Sequence, residues 1–357
     1  MLEFLIDYGM FLAKAITIVL SIGVVAGLVA SAGQKNKKGE KKGNIRVTQI
    51  NEHIDGLRDT LRASILDKEQ LKVIEKIEKK KIKAENKRKK KATVKNTEGS
   101  DREDSITKRI FVLNFEGNIA ADAVESLREE ITAILSMATK DDEVILRLES
   151  PGGMVHAYGL ASSQLLRIKN KNIPLTICVD KVAASGGYMM ACLADRLVAA
   201  PFAIIGSIGV LVQLPNFHRV LKKYDVDYEI ISAGEYKRTL THFGEITNKG
   251  KDKVKEDVEN IHQIFKDWVK TYRPSVEIDT IATGETWVGS QAKDRYMVDD
   301  IKTSDECVIE ACETSDVYEI KFEIKKPLQV RLASLLEESA HRLISRWFGK
   351  SDHDIYQ

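Results

Sequence analysis

At 357 residues the chain is longer than one average domain, and its 43% apolar content is enough to build a sizeable core. A net charge of +2 excludes a partner chosen by bulk charge, because the basic residues concentrate in one block, 79–91, and the sequence beyond it is mixed. Cys178, Cys192, Cys307 and Cys312 lack paired CxxC spacing, which argues against a zinc site and leaves them as buried thiols.

Residues 15–32 carry no charge and are rich in Ile, Val, Leu, Ala and Gly, and 10–13 extend the run past Lys14. Roughly 20 such residues cross a hydrocarbon core. A cleaved signal peptide would carry its basic residues ahead of the apolar run. Here Glu3 and Asp7 precede it and lysines follow, so 10–32 reads as an uncleaved transmembrane anchor in the lipid bilayer. Residues 33–104 read as a basic helical linker. Within it Ile50, Ile54, Leu57, Leu61, Ile65, Leu71, Ile74 and Ile77 keep helical spacing, which predicts one or two helices or a short coiled coil. The basic block has no interleaved aromatic residues for base stacking, so it reads as solvated or lipid-facing, with no specific nucleic acid expected. Residues 92–104 have the composition of a solvated linker.

From 106 the texture changes to alternating elements. Strands are predicted at 110–115, 143–148, 175–179 and 196–200, with a glycine-broken strand-like stretch at 204–214 and another strand at 228–231. Helices are predicted at 121–137, 160–169 and 187–193. This alternation implies an α/β fold with parallel pairing. Val254, Val258, Ile261, Phe265 and Trp268 then mark a long amphipathic helix ended near Pro274. The apolar stretch 189–212 is not a second membrane span, since Asp195, Arg196, Pro201 and two glycines interrupt it. A single α/β domain is thus expected over 106–312. A tail, 313–357, carries a strand at 317–324 and an amphipathic helix at 328–348 that would pack on the core or on a neighbouring subunit.

Three glycine-rich turns follow strands, where parallel α/β folds place their sites. Gly152 and Gly153 in Ser150-Pro151-Gly152-Gly153 would let a substrate backbone approach and leave amide groups free for an anion. Ser185, in Ala183-Ala184-Ser185-Gly186-Gly187-Tyr188, stands at a helix start, where a serine either caps the helix or acts as a nucleophile with the Gly186 N–H beside it. Ser207, in Gly206-Ser207-Ile208-Gly209-Val210, is ordinary turn chemistry unless it orients another catalytic group. A nucleophilic serine needs a base. His156, His218 and His242 remain open for that role, as does Lys237 after the Gly234 turn, provided that desolvation keeps its amine neutral.

The four motifs SPGG at 150–153, AASGGY at 183–188, GSIGV at 206–210 and GEYK at 234–237 occur in the order seen in signal peptide peptidases of the SppA type. The resemblance is closest to the SohB-like membrane peptidases and covers roughly 106–312, with the anchor. It implies a ClpP/crotonase-like fold, a spiral of ββα units. It implies a membrane-bound serine endopeptidase with a Ser-Lys dyad: Ser185 as nucleophile, Lys237 as general base and Ser207 orienting the lysine. The Gly153 and Gly186 N–H groups would form the oxyanion hole. It implies peptide or protein substrates, among them cleaved signal peptides or misfolded exported proteins, a homo-oligomeric ring and no metal or organic cofactor. A bacterial inner-membrane location follows from the same resemblance. The lysines at 35–42 would place the catalytic domain in the cytoplasm, whereas the resemblance favours the opposite side. The chain departs from many relatives in lacking a proline soon after the lysine: Arg238 to Phe243 contains none, so cleft specificity does not carry over. Two alternatives keep the fold: a non-catalytic membrane scaffold, and an acyl-thioester enzyme using Glu149 as its carboxylate.

Overall fold

The computed structural model describes residues 43–74 and 108–324 continuously, with scattered positions in 6–21 and 76–80. Most of the expected anchor 10–32, the basic block and the tail helix 328–348 lie outside the described residues. Among those described, no helix is long and apolar enough to cross a membrane. Two units are distinguishable: Ile45–Glu323, which holds the fold below, and Met1–Asn44 with Ile324–Gln357.

The elements in chain order are β1 (Gly43–Gln49), α1 (Ile50–Ile65), β2 (Arg109–Glu116), α2 (Val124–Leu135), β3 (Glu143–Glu149), α3 (Val155–Lys169) and β4 (Leu175–Val179). Then come β5 (Val182–Ala184), α4 (Gly186–Ala191), β6 (Arg196–Ala199), β7 (Ile204–Gly206), α5 (His218–Lys223) and α6 (Asn248–Tyr272). The last are α7 (Ile278–Ile281), β8 (Thr286–Val288), α8 (Gly289–Asp294), β9 (Asp300–Ile301), α9 (Ser304–Thr314) and β10 (Asp316–Ile324). A seven-stranded sheet runs in the order β1-β10-β2-β3-β4-β6-β9, and a three-stranded sheet in the order β5-β7-β8.

Alternation along the strands explains why the large sheet is covered on both sides. Phe111, Leu113 and Phe115 of β2, with Leu146 and Leu148 of β3 and Ile177 of β4, share one core with Leu127 and Ile131 of α2 and Leu165 of α3. Their intervening neighbours Ile110, Val112, Ile145 and Cys178 face the other way, against Cys307 and Val308 of α9 and the start of α1. Successive chain passages give one strand to each sheet: β4 then β5, β6 then β7. The passage after β3 contributes only a one-residue parallel bridge, Ser150 to Ala183.

Parallel pairing of β2, β3, β4 and β6 follows the sequence expectation. The tail strand, β10, pairs parallel with β2 and so extends the large sheet. Two expectations need correction. The stretch 204–214 is a strand only through Gly206, and 228–231 is not a strand: it pairs with no strand of either sheet among the described residues, and all four of its residues are exposed. Ile231, with 97% of its surface exposed, shows how little of that segment is buried within the chain. The sequence reading lacks β1, β5, β8 and β9: the last three span only two or three residues, too few for periodicity to register, and the seven-residue β1 falls in the expected helical linker.

Candidate active site

Two chain reversals meet at the end of the small sheet. β5 pairs with β7 so that Ala184 lies opposite Gly206, which brings Ser185 and Ser207 into adjacent register. The Ser185 N–H donates to the Gly206 carbonyl at 2.8 Å. Both serines have positive φ, 52° at Ser185 and 53° at Ser207, a conformation that costs a non-glycine residue on the order of 1–3 kcal/mol. Ser185 stands at the N-cap of α4, yet its side chain makes no capping hydrogen bond. Its half-buried hydroxyl is therefore free for another task.

The turn after β3 docks on the same spot. Ser150 N–H donates to the Val182 carbonyl at 2.8 Å, and Ala184 N–H donates back to the Ser150 carbonyl at 3.0 Å. This two-bond bridge sets Gly152 against the nucleophile turn. A Cβ on Gly152 would lie 2.7 Å from Ser185 Cβ and 2.8 Å from the Gly186 nitrogen, and Gly152 also has φ of +90°. Only glycine satisfies both conditions. The exposed Gly153 follows directly. Among the described residues no acceptor engages the Gly153 or Gly186 N–H. Two donors thus lack an acceptor among the described residues: the Gly186 N–H, next in the chain to Ser185, and the Gly153 N–H, on the turn whose Gly152 packs against Ser185.

Lys237 is placed differently. It lies on the irregular, exposed segment after α5, where its N–H donates to the Gly234 carbonyl at 3.2 Å. Among the described residues its amine has no hydrogen bond or ion pair, so the chain by itself does not bring it onto Ser185. The rival bases fare no better. His218 Nδ1 lies 3.3 Å from the Phe243 carbonyl and His242 Nδ1 lies 3.1 Å from the Pro215 carbonyl, both on the same outlying segment. His156 is exposed at the start of α3. Glu149 is held by Lys181 Nζ at 2.8 Å at the strand end, which ties up the carboxylate that acyl-thioester chemistry would need.

One buried group beneath the turn escaped the sequence reading. Tyr158 lies ahead of the helix expected at 160–169, whereas α3 begins at Val155 and buries the ring completely. A Cβ on Gly186 would collide with that ring. Burial pushes the Tyr158 phenol above its ordinary pKa, against the opposing pull of its hydrogen bond with Ser150. All four cysteines are free thiols, three of them buried, and burial pushes Cys192 up to about 12.

Comparison with known proteins identifies the family. Models for the Peptidase family S49 N-terminal region and for Peptidase family S49 match residues 3–165 and 167–318. The chain is 47% identical over 353 residues to the Probable protease SohB of Haemophilus influenzae, covering 99% of each chain. It is 40% identical over 334 residues to the Putative protease SohB of Buchnera aphidicola subsp. Baizongia pistaciae, covering 92% of this chain and 93% of the relative. A solved structure, the 1510-N membrane-bound stomatin-specific protease K138A mutant in complex with a substrate peptide, aligns with 65% of this chain and 99% of its own, at 15% identity and a TM-score of 0.41. The chain therefore belongs to peptidase family S49, the SppA-type peptidases, with SohB-like proteases as near relatives.

Proposed function

We propose that the chain is a membrane-anchored serine endopeptidase in which Ser185 is the nucleophile and Lys237 the general base, on a ClpP/crotonase-like spiral. Ser185 Oγ attacks the carbonyl carbon of the scissile peptide while its proton passes to Lys237 Nζ. The Gly153 and Gly186 N–H groups stabilise the oxyanion. Collapse breaks the C–N bond, the lysine returns the proton to the leaving amine, and the acyl group stays on Ser185 as an ester. Water, deprotonated by the same amine, hydrolyses the ester and frees the enzyme. The observation that carries this reading is the uncapped, positive-φ Ser185, followed by Gly186 and packed against the Gly152 turn, with the Gly186 and Gly153 N–H groups free of any acceptor among the described residues.

A lysine serves as base only when it is desolvated, since its ordinary pKa is about 10.4. Lys237 shares its segment with exposed apolar groups: Ile231 (97%), Leu211 (73%), Tyr224 (70%) and Tyr236 (48%). A second copy of the chain packing on this segment would bury those groups and dry the amine at one stroke, which supports a homo-oligomeric ring as the working form. Ser207 follows Gly206, the register partner of Ala184, and in this reading its hydroxyl orients the incoming amine by a hydrogen bond. The apolar run 10–32 supports the membrane anchor.

Hydrolysis of an unfolded peptide by the full-length protein tests the assignment. Ser185→Ala, Lys237→Ala and Lys237→Arg should each abolish turnover without unfolding the chain, the last because arginine stays charged. Normal turnover in Lys237→Ala together with its loss in His218→Ala would replace the dyad by a Ser-His pair.

A further inference from the structure

Behind the two N–H donors runs a buried chain of hydrogen bonds whose direction the geometry determines. The Tyr158 hydroxyl donates to the Asn118 carbonyl at 2.8 Å, and a carbonyl can only accept. The phenol proton is thus committed, so across the 2.5 Å contact between Ser150 Oγ and Tyr158 the serine must be the donor. Ser150 Oγ in turn accepts the Gly152 N–H at 3.1 Å. The relay reads Gly152 N–H, Ser150 O–H, Tyr158 O–H, Asn118 carbonyl, each bond polarising the next. Tyr158 and Ser150 are both fully buried, so no water substitutes for either partner.

The relay has a consequence for the neighbouring peptide units. It draws the Gly152 N–H inward, toward Ser150, and the next N–H, that of Gly153, is left without a protein partner. The tyrosine ring meanwhile fills the space against which Gly186 rests. One side chain therefore touches both halves of the oxyanion cradle: its hydroxyl fixes the turn with Gly152 and Gly153, and its ring backs Gly186. A buried tyrosine placed for packing alone would need only the second contact.

We infer that Tyr158 is a positioning residue for the oxyanion hole, acting through Ser150 to aim the Gly153 N–H and through its ring to seat the Gly186 N–H. This rests on Ser185 being the nucleophile, and it adds a residue that the four sequence motifs do not contain. It also separates two roles for Ser150: the backbone joins the turn to β5, and the hydroxyl carries the relay.

The test compares wild type, Tyr158→Phe, Ser150→Ala and the double variant in the full-length protein. Three quantities are read: kcat and KM on a peptide, the rate at which a fluorophosphonate modifies Ser185, and Tm. Loss of an indirectly aimed donor should cost less than loss of the donor itself, so Tyr158→Phe should lower kcat about tenfold with KM little changed. The fluorophosphonate rate should fall in parallel, and the double variant should be no slower than the slower single one, because both break the same relay. Wild-type kcat and fluorophosphonate rate in Tyr158→Phe would overturn the inference, as would single effects that multiply in the double variant. If Tyr158→Phe fails to fold, Ser150→Ala alone decides, with the same tenfold fall expected and an unchanged kcat contradicting it. Undiminished peptide hydrolysis by Ser185→Ala would instead remove the nucleophile assignment on which the inference stands.

Discussion

Ser185 and Ser207 both spend conformational energy at one end of the small sheet, and glycine would have been the cheaper residue at either position. Gly152 is the complement to that strain, since it gives up its side chain so that the turn after β3 can close on Ser185. Gly152→Ala should lower stability by about 1–3 kcal/mol through its positive φ alone. It should also reduce kcat/KM at least about a hundredfold, because the displaced turn carries the Gly153 donor. Urea unfolding read alongside peptide hydrolysis checks both; full activity in a folded Gly152→Ala protein would contradict the close approach. At this scale the sequence was partly legible. Ser185, Ser207, Gly153 and Gly186 stand out in the sequence as small residues in turns after strands, and the β5–β7 pairing sets Ser185 next to Gly206 and Ser207. Tyr158 was invisible because its meaning comes from Asn118 and Ser150, residues that only the folded chain puts beside it.

The elements are held in register by a few buried polar ties. Asp142, 1% exposed, receives Arg109 Nε at 2.9 Å and Nη2 at 2.7 Å, with the Thr139 N–H at 2.8 Å, and so joins the start of β2 to the loop entering β3. Burial pushes its carboxyl up, but the hydrogen bonds from Arg109 and Thr139 outweigh burial and hold it below the ordinary carboxylate value. A carboxyl depressed in the folded state contributes stability above its unfolded pKa of about 3.9, and that stability is lost as pH falls through the folded value. The urea midpoint of the wild type should accordingly drop on acidification below about pH 4 more steeply than that of Asp142→Asn. Equal slopes would deny the tie. Long elements were readable from the sequence: α6 was expected from its apolar spacing and appears as Asn248–Tyr272, ending just before Pro274. The strand expected at 228–231 has the right composition, but a strand needs an edge to pair with, and composition does not report whether one is near.

At the scale of the whole molecule the two halves of the proposed dyad are unequally prepared. Half-buried Ser185 is anchored to the core through buried Ala184 and Gly186, whereas Lys237 and its apolar neighbours sit on a segment that the single chain leaves exposed. Ile231→Asp should therefore weaken self-association in sedimentation and lower peptide hydrolysis together, with the urea midpoint unchanged because Ile231 buries almost nothing within the chain. A dissociated but fully active Ile231→Asp protein would separate assembly from catalysis. The motif marks Lys237, and the resemblance implies a ring that would shelter its amine; on the proposed reading the drying contacts lie between copies, where the periodicity of one chain does not display them. The most direct measurement of the whole account is the rate of fluorophosphonate modification at Ser185, located by mass spectrometry, in wild type and in Lys237→Ala. The account expects a single adduct on Ser185 that forms at neutral pH and is lost with the lysine; an adduct forming at the wild-type rate in Lys237→Ala would contradict it.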